Sequence, residues 1–125
     1  MNVRNGGAMS VDYMGEIVFL QEVIASGEVW VARGINKNIY SMELDGSGFS
    51  LPVWSNEQRV VDFLKNARLV GTKYEPHAVP LDVFTNVWLS DKMMDIAELQ
   101  LNPDGKTTRV LVVTAEEFIS AQAAK

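Results

Sequence analysis

A reversal near the C-terminal end constrains this chain most. Residues 97–101, AELQL, alternate apolar and polar side chains, and residues 107–113, TTRVLVV, are rich in β-branched residues. Between them stands NPDG at 102–105, four residue types that each favour a tight turn. The pattern predicts a β-hairpin with Ala97, Leu99 and Leu101 facing inward and Glu98 and Gln100 outward. A lone hairpin is marginal in water, so further strands or helices must cover its apolar face.

A second reversal comes earlier. EVWVAR at 28–33 is rich in β-formers, and in IYSMEL at 39–44 Tyr40, Met42 and Leu44 alternate with Ser41 and Glu43. A hairpin is therefore expected across Gly34 to Asn38. DGSG at 45–48 reads as a turn, and FSLPVW at 49–54 as a short strand ending at Pro52 or Trp54. YEPHAVP at 74–80 is extended, because each proline pushes its predecessor out of the helical region.

Four segments read as helices. Tyr13, Ile17, Leu20 and Ile24 form one stripe over residues 11–26, and Gly27 fits the C-terminal stop. SNEQ at 55–58 is a capping box in which Ser55 accepts from the backbone of Gln58. The helix that follows carries Val60, Val61 and Leu64 on one face, with Phe63 close by, and ends near Asn66. A third helix from Leu81 presents Phe84, Val87 and Trp88, and breaks around Ser90. TAEE opens the last helix with a second capping box, Thr114 with Glu117, followed by Phe118 and Ile119. The sum is a single α+β domain over residues 11–125, a mainly antiparallel sheet of two hairpins with about four helices packed on it. Residues 1–10 read as a flexible leader, within which Met9 offers an alternative start.

Composition narrows the function classes. A net charge of −5 and a pI near 4.8 repel phosphate backbones and anionic membranes, so neither nucleic acid nor a membrane is an expected partner. No stretch approaches the roughly 20 apolar residues of a membrane span. The chain has no cysteine, which removes disulfides, thiol nucleophiles and thiolate metal sites and agrees with a cytoplasmic location. Its single histidine rules out a histidine-rich metal site. No metal or cofactor is expected.

The catalytic motifs are also missing. There is no G-x-S-x-G, and the GKT at 105–107 lacks the upstream glycine of a phosphate loop. ELDGSG has too few carboxylates for a calcium loop. Glu116 and Glu117 suit a helix start, and Asp91 and Asp95 a solvated face. No residue is assigned a catalytic role. Two features carry both a packing and a binding reading. Trp54 either closes the core, its N–H finding a carbonyl, or belongs to an exposed aromatic patch. Tyr74, Glu75 and His77 form either a solvated loop or a polar binding trio with His77 as base.

EVW at 28–30, LPVWS at 51–55, YEPHAVPLDVFTNVWL at 74–89, NPDG and VVTAEEF at 112–118 occur in one order. In this the chain resembles the small bacterial proteins of the domain-of-unknown-function 2750 family from about Tyr13 to Phe118. It is more weakly similar to the N-terminal domain of the SseB family, which shares an LPV-aromatic element before a helix. The resemblance implies positions that a fold needs, here Trp30, Pro52, Trp54, Tyr74, Pro76, Pro80 and Trp88, and no catalytic residues. GINKN departs from the turns expected there, so anything bound at it would be particular to this protein. The expected function is a non-enzymatic interaction module, an adaptor or immunity-type domain whose partner is another protein. The alternative is a small-ligand binder or enzyme with its site near YEPHAVP. Self-association as a homodimer through a free strand edge is a third expectation.

Overall fold

The computed structural model describes residues 9–46, 48–67, 71–106 and 110–123. Helix α1 runs Met9–Ser26, so it starts two residues before the expected boundary; the rest of the leader, residues 1–8, lies outside the described residues. β1 (Glu28–Gly34), β2 (Met42–Glu43) and β3 (Phe49–Val53) follow, then α2 (Glu57–Asn66) and β4 (Tyr74–Pro80). α3 (Leu81–Val83) passes into a π-helical turn, Phe84–Trp88, before β5 (Ile96–Leu101), β6 (Leu111–Thr114) and α4 (Ala115–Ala123).

The second hairpin forms as expected, with β5 antiparallel to β6. The first does so only in part. The chain does reverse at Gly34–Asn38, where Gly34 N–H donates to the Asn38 carbonyl. However, β1 pairs along its whole length with β4, and the returning arm touches it only at an Arg33–Ile39 bridge. β2 then pairs with β3 instead. YEPHAVP is thus a strand rather than a loop. β3 runs parallel to β5, giving a four-stranded sheet in the order β2-β3-β5-β6 beside the antiparallel β1-β4 pair. The two are joined where Trp30 and Trp54 exchange both backbone hydrogen bonds, at 2.9 and 2.8 Å.

That joint explains the strand prolines. Trp30 turns its backbone groups toward Trp54, so by alternation Val29, Val31 and Arg33 bond to β4. On β4 the bonding residues are then Val79, His77 and Glu75, while Pro76 and Pro80 face the free edge. They forfeit no ladder bond and blunt that edge against strand addition. Pro52 obeys the same rule. It faces the gap on β3 between Ser50, where β2 pairs, and Trp54, where β1 begins.

The pleat divides the interior in two. On one side Val29, Val31, Val79, Leu51, Val53, Leu99 and Leu101 pack under Phe19 and Val23 of α1, Phe84 and Phe118. On the other, Ala32 and Trp54 meet Val60 and Phe63 of α2, with Trp30, Tyr40 and Tyr74 half-buried around them. Each fully buried side chain of this size stabilises by about 1.5–3 kcal/mol.

Several expected faces are corrected. Among the described side chains of α1 the buried ones are Phe19, Leu20 and Val23; Ile17 is half-buried, Ile24 is 42% exposed, and Tyr13 of the expected stripe lies outside the described side chains. A stripe drawn on four apolar residues was therefore rotated from the true one, because the helix carries apolar residues on nearly every side. Ala97 is exposed at the strand's start, beyond the core. Val87 is 55% exposed because the wider π turn, with Leu89 N–H bonding to the Phe84 carbonyl, rotates it away from Phe84. Phe118 is buried while Ile119 faces outward. Thr114 and Glu117 form the reciprocal capping box, at 2.9 and 3.0 Å. The first capping box shifts by one residue: Asn56, not Ser55, caps α2 by accepting from Arg59 N–H at 3.0 Å. Gly27 ends α1 with a φ of 75°, its N–H bonding to the Val23 carbonyl.

Candidate functional site

The displaced cap leaves Ser55 free for other work. β3 is followed by Trp54, whose indole Nε1 donates to the Pro103 carbonyl at 2.8 Å. The neighbouring Ser55 is buried where α1, the start of α2 and the end of β5 converge. Its N–H donates to Asn102 Oδ1 at 2.9 Å, its hydroxyl accepts from Asn102 Nδ2 at 3.1 Å, and the hydroxyl proton goes to Glu22 Oε1. Asn102 holds this position with a φ of 51°, a left-handed conformation that asparagine tolerates better than most residues.

Glu22, on α1, is the hub. Besides Ser55 it accepts from Asn56 Nδ2 at 3.1 Å, and from Arg59 through Nε and Nη2, each at 3.1 Å. The paired guanidinium, followed by the Ser55 hydroxyl, holds the Glu22 carboxyl below the usual range despite the opposing effect of burial. A carboxylate so stabilised is a poor proton acceptor, and no histidine belongs to the cluster. Ser55 is therefore a structural hydroxyl here rather than an activated nucleophile. Among the described residues no buried polar side-chain atom lacks a partner, and no three acidic or histidine side chains group as metal ligands.

Beside this cluster lies a cleft of about 420 Å³. Met14 and Val18 of α1 form one wall, Pro103 and Leu111 the other, and Arg59 and Asn102 bring the polar cluster to its edge. Met14 is 62% exposed and Val18 36%.

The residues singled out from sequence sit elsewhere. Trp54 is fully buried, 5.0 Å from the Phe63 ring, so its indole is core and offers no surface to a partner. The pleat separates the other three. Tyr74 points toward the α2 side, stacked edge-on to Tyr40 at 5.3 Å, and its hydroxyl accepts from Asn38 Nδ2 at 3.2 Å. Glu75 and His77 point the opposite way. Glu75 pairs with Arg33 at 3.5 Å, and His77 lies opposite Val31. Burial, then the Arg33 charge, lowers the His77 pKa, with Glu75 pulling it back. The three do not converge on one point. A pocket of about 220 Å³ at the end of the β1-β4 ladder includes Tyr74 and Glu75 but not His77.

Sequence reasoning missed Glu22, Arg59 and Asn102. The available signal was SN at 55–56, two adjacent residues that can both cap a helix, of which only one is needed.

Residues 18–121 match the model of the family described as a protein of unknown function, DUF2750. The match spans Glu22, Ser55, Arg59 and Asn102, and the chain belongs to that family. No curated protein matches it. Among the described residues no helix is long and apolar enough to cross a membrane.

Proposed function

We propose that this DUF2750 chain is a non-enzymatic interaction module, of adaptor or immunity type, that takes a segment of another protein into the cleft beside α1. The observation that carries this reading is the exposure of Met14 and Val18, one helical turn apart, on the wall of a 420 Å³ cleft. Apolar side chains left open at a concave site gain free energy when a partner covers them, and methionine adapts to varied partners. The polar cluster at the cleft's edge is suited to holding shape. Its hydrogen bonds are satisfied internally and tie three elements together, which pre-organises the surface. The prolines on the free edge of β4 weigh against self-association through that edge.

The test is affinity capture from cells that make the protein natively. Met14→Asp and Val18→Asp are run beside wild type and Met93→Asp, whose side chain is 90% exposed away from the cleft. Circular dichroism verifies folding. The expected result is one protein recovered with wild type and Met93→Asp and lost with both cleft variants. Equal recovery with all four would overturn the assignment.

A further inference from the structure

A second, independent feature lies at the far end of the β1-β4 ladder. Arg33 is the next-to-last residue of β1, Lys37 sits in the turn after the strand, and Lys73 precedes β4. The Gly34–Tyr74 pairing brings the three together around the 220 Å³ pocket. Glu75 is the one carboxylate on the lining, so three cations face one anion and leave a local surplus of two positive charges. This occurs in a protein whose overall charge is −5. Among the described residues neither lysine ammonium has a hydrogen bond or ion pair, whereas Arg33 is held by Glu75 at 3.5 Å.

The rest of the lining is Gly34, Ile35, Thr72 and Tyr74. Gly34 lets the turn at the pocket's edge pack closely, since a Cβ there would lie 2.5 Å from Asn38 Oδ1 and 3.3 Å from the Tyr74 ring. Lys37 is held at a φ of 67°, a backbone conformation that lysine rarely adopts.

We infer that the Arg33, Lys37 and Lys73 side chains form a binding site for the phosphoryl group of a small phosphomonoester. Charge and size select this class. A phosphomonoester carries close to two negative charges at neutral pH, matching the surplus, whereas a carboxylate carries one. The volume lies below the roughly 300 Å³ at which pockets for drug-sized molecules begin. The guanidinium and ammonium groups would donate to the phosphoryl oxygens as charge-assisted hydrogen bonds.

Amide shifts of 15N-labelled protein are followed at constant pH and ionic strength, titrating inorganic phosphate, glycerol phosphate, sulfate, acetate or chloride. The site predicts saturable shifts confined to residues 33–38 and 72–75 with phosphate, glycerol phosphate and sulfate, and much weaker ones with acetate. Tighter binding of glycerol phosphate than of phosphate identifies an organic ester as the source; equal binding identifies the free anion. The double variant Lys37→Asn with Lys73→Gln, whose asparagine suits the left-handed turn, should weaken binding about tenfold, while Lys92→Ala leaves it unchanged. Shifts that do not saturate, that spread over the protein's other lysines, that acetate reproduces equally, or that survive the double variant would each overturn the site.

Discussion

Replacing Trp54 by phenylalanine isolates what the indole contributes. The wild-type ring is fully buried, 5.0 Å from Phe63, and its Nε1 donates to the Pro103 carbonyl at 2.8 Å. Phenylalanine keeps an aromatic body against Phe63 but removes that donor. Pro103 is itself buried, so its carbonyl loses a partner where water does not readily substitute. This costs about 1–3 kcal/mol. The missing ring leaves a void of roughly 40 Å³, which at about 24 cal/mol per Å³ adds about 1 kcal/mol. The expected loss is about 2–4 kcal/mol, or roughly 8–15 °C in Tm for a domain of this size. Urea unfolding followed by far-UV circular dichroism measures it, with the slope m expected to stay unchanged. A loss below about 1 kcal/mol at constant m would refute the argument, because it would mean that the ring is solvated or the hydrogen bond absent.

The polar cluster, the histidine and the second cap each give a further prediction. Glu22→Gln should cost only about 1 kcal/mol at pH 7, since the Arg59 and Glu22 side chains are 38% and 35% exposed and water screens them. The folded pKa of Glu22 is lowered, so its stabilisation is complete above the unfolded value of about 4.5 and is lost as pH falls through the folded value. The deficit of the variant should therefore shrink in urea titrations at about pH 4 and below; a deficit constant with pH would contradict the ion pair. His77, the single histidine, should titrate below 6.5 by proton NMR, rising in Arg33→Gln and falling further in Glu75→Gln. Its neutral form is the one the fold favours, so this contribution is present above pH 6.5 and lost as pH falls through the lowered value. Thr114→Ala should cost about 1 kcal/mol by removing the cap of α4, with Thr114→Ser restoring most of it; equal losses would point to the methyl group instead.

Local patterns in the sequence carried the element types well. Thr114 with Glu117, the stop at Gly27 and the alternation of Leu99 and Leu101 all depend on neighbours within a few residues, and all stand in the fold. Pairing was not legible to the same degree. β1 lies against a strand more than forty residues away, and nothing local distinguishes that choice from the nearer arm after Asn38. The α1 face was misplaced for a related reason: apolar residues surround that helix, so which ones are buried depends on the sheet beneath. At the sites, Trp54 met its packing reading because a tryptophan between a strand and a helix has an obvious core to enter. Tyr74, Glu75 and His77 were read as neighbours, but strand geometry sends successive side chains to opposite faces. The Glu22 cluster was invisible because its members come from α1, α2 and the end of β5, and the cleft exists only after those elements meet.

The claim on which the functional account rests is that the cleft beside α1 holds another protein. A photo-activatable amino acid placed at Val18, and separately at Met93, tests it in intact cells. The account predicts a discrete cross-linked adduct from position 18, competed away by excess wild-type protein, and none from position 93. Adducts of equal yield from both positions, or none from position 18 in folded protein, would contradict it.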